Sequence, residues 1–236
     1  MRVLVLGASG FIGPHIVRRP LAHCHHVTAF HRGSAIRDTP TGVPLVIGDR
    51  NRLDTSAREF RDLQPDIVLD VIPYTEKQAK DLVNTFRGIA KRTIILSSGD
   101  VYRANDLLFR RMEGPLDSTP LKEGSPLRDR LYPYRGVPVP PVEGFSPDDY
   151  DKLLVERTVL NDPALPAHSL ASANGLRSRC NRKPQTSFLG ILEAMDDHRP
   201  AIFTRPSDGW VARSLGLVGR GRGSCSACSR ERKASG

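Results

Sequence analysis

The chain opens with a short run of apolar, β-prone residues at positions 2–6, R-V-L-V-L. A run that short and that continuous is typical of a strand buried on both faces. Further strands are predicted at residues 25–30, 45–47, 66–72 and 93–96. Helical patterns occupy the intervals, at residues 11–22, 53–63 and 76–90. Strand and helix therefore alternate along the chain, which predicts an α/β fold with a doubly wound parallel sheet and helices on both faces.

Prolines and polar residues refine these boundaries. Pro14 falls in the first turn of the first helix, where proline is tolerated, whereas Pro20 is expected to end or kink that helix early. Residues 103–146 are rich in proline and charge and lack periodicity, so we predict a long loop that serves as a lid or an insertion. Residues 147–160 are predicted to form one helix, with Ser146 as its N-cap.

Three glycines follow the first strand, at positions 7, 10 and 13. In a strand–turn–helix setting, the first lets the chain turn sharply and the second lets backbone approach a pyrophosphate. The third allows close helix–strand packing. The helix that follows directs its unpaired N–H groups at the phosphates. The spacing favours nucleotide binding at the carboxyl ends of the strands, and a merely tight turn is the alternative.

Composition limits the remaining choices. The 236 residues are 39% hydrophobic and 26% charged, which fits one α/β domain with a modest extra part. No apolar run approaches ~20 residues, so no membrane span is predicted. The sequence shows no signal-peptide layout, and a cytoplasmic location is expected. Over half of the net charge of +9 lies after residue 200, in a tail that either contacts nucleic acid or is simply solvated.

The sequence predicts no metal site. The four cysteines are few and irregularly spaced, which suggests reduced thiols, and Cys225 and Cys228 form a lone C-x-x-C without a second pair. His23, His25 and His26 cluster at a helix-to-strand turn, where we expect them to be solvated.

Hydroxyl groups supply the candidate chemistry. The fifth strand delivers Ser97 and Ser98 to the carboxyl edge of the sheet, and Tyr150 lies on the predicted helix at 147–160. A serine and a tyrosine near a nicotinamide can both bond a substrate carbonyl or hydroxyl, with the tyrosine as general acid or base. Such a tyrosine needs a lowered pKa, normally from a nearby cation.

Together these motifs resemble the extended short-chain dehydrogenase/reductase superfamily, in its NAD-dependent epimerase/dehydratase branch. The matching runs are G-A-S-G-F-I-G at 7–13, F-H-R-G at 30–33, G-D-R at 48–50, S-S-x-x-V-Y at 97–102 and Y-D-K-L-L-V-E at 150–156. The resemblance covers about residues 1–165 and implies a Rossmann-like NAD(P)-binding domain there.

The resemblance also implies site residues. Ser98 and Tyr150 stand at the catalytic serine and tyrosine of the family. The positions implied to bind the cofactor are Gly7, Ser9, Gly10, Phe11, Ile12, Gly13, Arg32, Asp49, Arg50, Val71 and Ser97.

The end of the second strand bears on the choice of cofactor. His31 and Arg32 stand there without an acid, and because arginine pairs with a 2′-phosphate, NADP is favoured over NAD. Asp49 and Arg50 are expected near the adenine, although Asp49 has a turn-forming alternative.

The sequence departs from the family pattern at the tyrosine motif. The family lysine lies four residues after the tyrosine, where this chain has Leu154. Lys152 is two residues on, about 200° around a common helix, and is not expected to substitute. The alternatives are a helix-surface tyrosine at Tyr150 and a turn-forming serine at Ser98.

A second departure follows residue 166. The family has an apolar strand and a substrate loop there, but residues 167–180 lack a strand's apolar density and are consistent with an out-of-frame translation. Residues 211–236 are rich in Gly, Ser and Arg. We therefore expect residues 166–236 to be a partial substrate-binding region with a basic tail, and the far edge of the sheet to be left unpaired.

These observations support an NAD(P)-dependent oxidoreductase or epimerase that transfers hydride on a small polar substrate, with a nucleotide sugar as one option. The alternatives are a non-catalytic NAD(P)- or RNA-binding protein of the same fold, and an inactive remnant. The helices at 76–90 and 147–160 are candidates for a homodimer contact.

Overall fold

In the computed structural model of the chain, the described residues are 1–9, 12–33, 39–118, 121–139, 142 and 144–172. The predicted cofactor residues Gly10 and Phe11 lie outside them, as do Cys180, the C-x-x-C pair and the basic tail. Cys24, which is described, is an exposed cysteine in its reduced form.

The described residues form one six-stranded parallel sheet, in the order β3-β2-β1-β4-β5-β6. The strands are β1 (Arg2–Leu6), β2 (His26–His31), β3 (Leu45–Ile47), β4 (Ile67–Asp70), β5 (Arg92–Ser98) and β6 (Ala167–Ser172). The order reverses between β1 and β4, and ligands of such sheets bind outside the carboxyl ends of the strands at that point. The predicted doubly wound fold is confirmed.

Five α-helices are described. They are α1 (Gly13–Ala22), α2 (Ala57–Leu63), α3 (Glu76–Phe86), α4 (Arg103–Leu108) and α5 (Lys152–Leu160). The helix predicted at 53–63 is divided, because residues 50–56 form a 3₁₀ helix before α2. Pro20 does not end α1 early, since the helix continues through it to Ala22.

Both faces of the sheet are buried by these helices. Val3 and Val5 of β1 pack on one face with Ile16 and Val17 of α1. Leu4 and Leu6 point to the other face, in a cluster that includes Phe60, Phe86, Val155 and Val159. Alternate residues of one strand thus serve two separate apolar cores, which explains the continuous apolar pattern of the first strand.

The expectation that no strand follows residue 166 is wrong. β6 pairs with β5 in parallel from Thr93↔Ala167 to Ser98↔Ser172. Only Leu170 is a large apolar residue, but Leu170 and Ala171 are buried and the Ser169 hydroxyl donates to Glu156 at 2.6 Å. Backbone pairing, this hydrogen bond and the burial of small side chains together hold the strand, so β5 is an interior strand.

The predicted helix at 147–160 is also wrong in part. Residues 147–149 form a 3₁₀ turn, Tyr150 and Asp151 are extended, and α5 begins only at Lys152. Asp151 is the cap, because its carboxylate accepts the N–H groups of Leu153 and Leu154 at 2.9 and 3.2 Å. Tyr150 therefore precedes the helix, and the 200° separation from Lys152, which assumed a shared helix, does not apply.

The segment predicted as a long loop contains α4 and is tied to the body of the domain. The backbone N–H of Arg128 donates to Val101 at 2.9 Å, and Tyr102 bridges to Leu127. Within the segment, Arg103 forms an ion pair with Asp117. The described part of this segment therefore packs against the carboxyl end of β5.

Candidate functional site

The turn between β1 and α1 is shaped by two glycines. Gly7 has φ +82°, a conformation that favours glycine, and its N–H donates to Phe30 at 3.0 Å. A Cβ on Gly13 would lie 2.4 Å from the Gly7 carbonyl oxygen, so only glycine fits there. Close helix–strand packing at the third glycine is thus present as the spacing indicated.

The N-terminus of α1 lacks a side-chain cap. Ile12 occupies the cap position without a side-chain hydrogen bond, and Ser9 is half-buried just before it. Pro14 has no N–H group, and the N–H groups of His15 and Ile16 donate to the Ile12 carbonyl at 3.1 and 3.2 Å. An anion at this helix end would therefore be bound by the N–H groups that precede them, such as that of Gly13.

The end of β2 carries the groups that bear on the ribose. His31 is buried, its Nδ1 accepts the Gly33 N–H at 3.0 Å, and its Nε2 has no hydrogen-bond partner among the described residues. Burial lowers the pKa of His31 below its usual value. Because Nδ1 is the acceptor, neutral His31 carries its proton on Nε2. Arg32, the next residue, is exposed, and neither residue is an acid.

Asp49 and Arg50 differ in accessibility. Asp49 is half-buried and accepts the Asn51 N–H at 2.9 Å, which caps the following 3₁₀ helix. Arg50 is buried, with Nη2 bonded to the Asp70 carboxylate at 2.5 Å and to the Gln78 carbonyl at 2.9 Å. The Arg50 side chain is thus engaged inside the domain, and its contact with adenine stays a prediction.

Val71 and Ser97 stand at the carboxyl ends of β4 and β5. Val71 is buried and its N–H donates to Leu6 at 3.0 Å. Ser97 is also buried, and its Oγ has no partner among the described residues. A buried hydroxyl without a partner costs free energy, so a ligand at this edge would satisfy it.

Ser98 and Tyr150 meet at one corner of this edge, together with Asp100. The Tyr150 hydroxyl donates to Oδ2 of Asp100 at 2.8 Å, and the Asp100 N–H donates to Oγ of Ser98 at 3.3 Å. Burial and then the Asp100 carboxylate raise the pKa of Tyr150 well above its usual value, while a hydrogen bond with Ser98 acts in the opposite direction. The phenol is therefore held in its neutral form, contrary to the lowered pKa that a tyrosine base was expected to need.

Lys152 belongs to the same corner although it does not follow the family spacing. Its Nζ donates to the Leu96 carbonyl at 2.8 Å and lies 4.8 Å from the ring centroid of Tyr74. Burial lowers the pKa of Lys152 to about 8, against the opposing effect of Asp70, Asp100 and Glu156.

Sequence reasoning missed several residues of this corner. Asp100 and Arg128 are buried, and the Arg128 Nε donates to the Asp100 carbonyl at 2.9 Å. Arg128 also forms a fully buried ion pair with Asp151, at 2.5 Å. The polar run S-S-G-D directly after an apolar strand could have indicated that Asp100 lies at the carboxyl edge of the sheet, beside Ser98. Arg128 had no such signal, because Asp100 and Asp151, which it contacts, lie 28 and 23 residues from it in the sequence.

The described residues contain neither a cluster of metal-binding side chains nor a helix able to span a membrane. Within the described ranges, no group of three or more His, Cys, Asp or Glu side chains is placed to hold a metal ion. None of the described helices is long and apolar enough to cross a membrane.

Comparison with known proteins identifies the family. Residues 3–126 match the model of the NAD dependent epimerase/dehydratase family. The chain belongs to this family. The predicted family resemblance is thereby confirmed, and the family is one of NAD-dependent proteins.

One curated relative is 2′-dehydrokanamycin reductase of Streptomyces kanamyceticus, with 31% identity over 161 residues. The match covers 67% of this chain and 38% of the relative, so the chain spans well under half of that protein's length.

Solved structures support the fold. WbmG of Bordetella bronchiseptica, in complex with NAD, is similar at 16% identity and a TM-score of 0.52, covering 74% of this chain and 53% of that one. UDP-glucose 4-epimerase of Thermotoga maritima, with UDP-glucose, is similar at 15% identity and a TM-score of 0.54, covering 73% and 55%. At these identities the likeness concerns the fold alone.

The described residues fit a dinucleotide. Gly13 leaves no room for a Cβ, α1 has no side-chain cap, and the buried Oγ of Ser97 lacks a partner in the described part of the chain. These features lie on β1, α1 and β5, along the edge where ligands of this sheet type bind.

Proposed function

We propose that the chain is an NADP-dependent oxidoreductase that interconverts a hydroxyl and a carbonyl on a small polar substrate. The observation that carries the proposal is the meeting of Ser98, Asp100 and Tyr150 at the carboxyl end of β5. This corner and the glycine turn (residues 7–13) lie at the same edge of a parallel sheet, since both follow the carboxyl ends of its strands.

The glycine turn is proposed to hold the pyrophosphate, through the Gly13 N–H at the start of α1 and the backbone around Gly7 and Ser9. Gly10, Phe11, Ile12 and Gly13 complete this proposed site. When bound, the dinucleotide supplies the nicotinamide ring that gives or accepts hydride.

Ser98 and Tyr150 are proposed to act on the substrate. The Ser98 hydroxyl holds the reacting oxygen, and Tyr150 exchanges a proton with it at its phenolic oxygen. Both side chains are half-buried, which leaves them reachable from the edge of the sheet.

The choice of NADP rests on the end of β2. Arg32 is exposed there and His31 is buried, so this strand end presents a guanidinium and no carboxylate to a 2′-phosphate. A carboxylate, which would favour the ribose hydroxyls of NAD, is absent from both positions. Asp49 is assigned to the adenine side of the same cleft.

The relatives favour a carbohydrate-like substrate. One is named for the reduction of 2′-dehydrokanamycin, and one structural neighbour holds UDP-glucose. We therefore assign a polar, hydroxyl-rich carbonyl compound as the substrate class. A homodimer and a cytoplasmic location remain predictions.

A thermal melt of the full chain, with and without saturating NADP or NAD, tests the proposal. Ligand linkage predicts a gain in unfolding free energy of about 2.7 kcal/mol at a hundredfold excess over the dissociation constant. A larger gain with NADP than with NAD would support the assignment. A cooperative transition that neither cofactor moves would contradict it and favour the non-catalytic alternatives.

A further inference from the structure

The phenol of Tyr150 is bonded to a carboxylate and not to an ammonium group. Its Oη donates to Oδ2 of Asp100 at 2.8 Å, while the Lys152 ammonium donates to the Leu96 carbonyl at 2.8 Å. Asp100 is 1% exposed, so this carboxylate does not exchange protons freely with water.

Asp100 is fixed from several sides. Its N–H donates to Ser98, its carbonyl accepts from Arg128, and its Oδ2 accepts from Tyr150. The other carboxyl oxygen, Oδ1, is buried and has no hydrogen-bond partner among the described residues. A buried carboxylate with one unsatisfied oxygen gains from taking up a proton, because the neutral acid is less costly to bury.

We propose that Asp100 is the proton acceptor behind Tyr150, so that the phenol passes a proton between the substrate oxygen and Oδ2 without itself being ionised. This inference rests on the proposed oxidoreductase function. Asp100 acts through Tyr150 and is in that sense a positioning residue for the reaction.

The step balances in both directions. In oxidation, the substrate C–H bond breaks with its electron pair leaving to an oxidised nicotinamide dinucleotide. The substrate O–H proton moves to Oη of Tyr150 while the phenolic proton moves to Oδ2 of Asp100. A C=O bond forms, Tyr150 ends neutral and Asp100 ends as the neutral acid. Reduction reverses each transfer.

Burial and the surrounding charges act on the pKa of Asp100 in both directions. Burial and the Asp151 carboxylate raise the pKa of Asp100, whereas the Tyr150 hydrogen bond, Arg128 and Lys152 lower it, and the pKa is raised on balance. A carboxyl with a raised pKa is a better proton acceptor than an exposed aspartate, which is what a base in this position requires.

Titration of the phenol in the cofactor-free chain tests the pair directly. Ionisation of Tyr150 is followed by the ultraviolet difference absorbance of tyrosinate, with the Tyr150→Phe chain identifying its share of the signal. In Asp100→Asn the negative charge is gone, so the pKa of Tyr150 is expected to fall by about one unit or more, which corresponds to about 1.4 kcal/mol. An unchanged titration in a folded Asp100→Asn chain would overturn the inference.

A reciprocal measurement covers the case in which Asp100→Asn does not fold. In Tyr150→Phe the carboxylate loses a hydrogen bond, so the pKa of Asp100, followed by carbon NMR of the labelled carboxyl group, is expected to rise. No rise would contradict the pairing.

Kinetics then separate this inference from the proposed function. With NADPH and 2′-dehydrokanamycin as the probe, Asp100→Asn is expected to lower kcat by about 100-fold while KM stays within about threefold. Asp100→Glu is expected to recover part of the loss and to shift the pH profile. Turnover by the unchanged chain and an equal kcat for Asp100→Asn would overturn the inference alone. If the unchanged chain does not turn over this probe while the phenol titration still responds to Asp100, the choice of substrate fails and the proton pair stands.

Discussion

The described part of the glycine turn (residues 7–9, 12 and 13) and the corner around Tyr150 lie at the same edge of the sheet but depend on different structural features. The turn depends on missing side chains, since a Cβ at Gly13 would collide with backbone at 2.4 Å. The Tyr150 corner (Ser98, Asp100, Arg128 and residues 150–152) depends on buried charges, and Arg128 and Asp151 are both fully enclosed. Changes in shape should therefore disturb the first region, and changes in charge or pH the second.

Removal of Arg128 is expected to have the largest effect. Arg128→Met leaves the Asp151 carboxylate buried without its partner, and breaking a buried ion pair in this way costs about 3–5 kcal/mol. Denaturant unfolding of the full chain measures the loss. The control is Lys77→Ala, which removes a pair with Asp81 whose lysine is 77% exposed and should change stability by less than about 0.5 kcal/mol. A loss for Arg128→Met as small as the control would show that the corner does not depend on this charge.

Filling the space at Gly13 is expected to rank second. Gly13→Ala brings a Cβ against the backbone of Gly7 and Ala8, which cannot yield as a flexible side chain can, so we expect a loss of about 3 kcal/mol. The matched control is Gly124→Ala, where an added Cβ meets nothing within 4 Å. Thermal unfolding compares the two variants, and equal melting temperatures would contradict the steric account of the turn.

The two regions also differ in how far the sequence could predict them. The glycine turn follows from local rules, because strand, glycine spacing and helix adjoin one another along the chain. The Tyr150 corner joins residues far apart in sequence, such as Asp100 and Tyr150, which are 50 residues apart. The hydrophobic periodicity of a sequence reflects local structure and does not indicate such a long-range contact. The start of α5 was mispredicted for a related reason, since Asp151, held by Arg128, caps the helix in preference to Ser146.

The error at β6 has the same origin. An apolar pattern predicts strands from their large apolar side chains, but residues 167–172 contain only Leu170 of this kind, and backbone pairing with β5 and the Ser169–Glu156 bond supplement its burial. The family resemblance identified the fold correctly, and the catalytic roles that it implies for Ser98 and Tyr150 stay predictions. It could not identify the partner of the tyrosine, because that partner is set by three-dimensional packing.

Lys152 makes the stability of the corner depend on pH. Its pKa falls from 10.5 to about 8 on folding, so the folded state resists charging it. The free-energy penalty of burying the charged Lys152 is fully present below about pH 8, where both the folded and the unfolded chain bind the proton. As the pH rises above about 8 the unfolded chain binds more protons than the folded one, so the penalty is relieved and the unfolding free energy increases. Between pH 8 and about 10 this should add about 2 kcal/mol to the unfolding free energy.

Urea unfolding at several pH values tests this effect. Lys152→Met should lack the rise, whereas Lys91→Met, at a lysine whose side chain is 80% exposed, should keep it. The same slope in the chain and in Lys152→Met would assign the pH dependence to other groups. The raised pKa of Tyr150 acts in the opposite direction, and only above about pH 10, so it does not mask the effect in this window.

The smallest expected effect is on cofactor affinity, at the end of β2 beside the glycine turn. There the Arg32 side chain is proposed to add to the binding that the backbone of the turn provides. Arg32→Ala removes a guanidinium from the end of β2 and should weaken NADP binding about tenfold, since a charged hydrogen bond contributes about 1.5 kcal/mol. NAD lacks the 2′-phosphate, so its affinity should change by less than about twofold. Isothermal titration with each cofactor separates the two, and Arg58→Ala, at an exposed arginine on α2, is the control. An equal loss for both cofactors would mean that Arg32 supports the shared part of the site. Retention of NADP affinity would contradict the assignment of Arg32 to the 2′-phosphate.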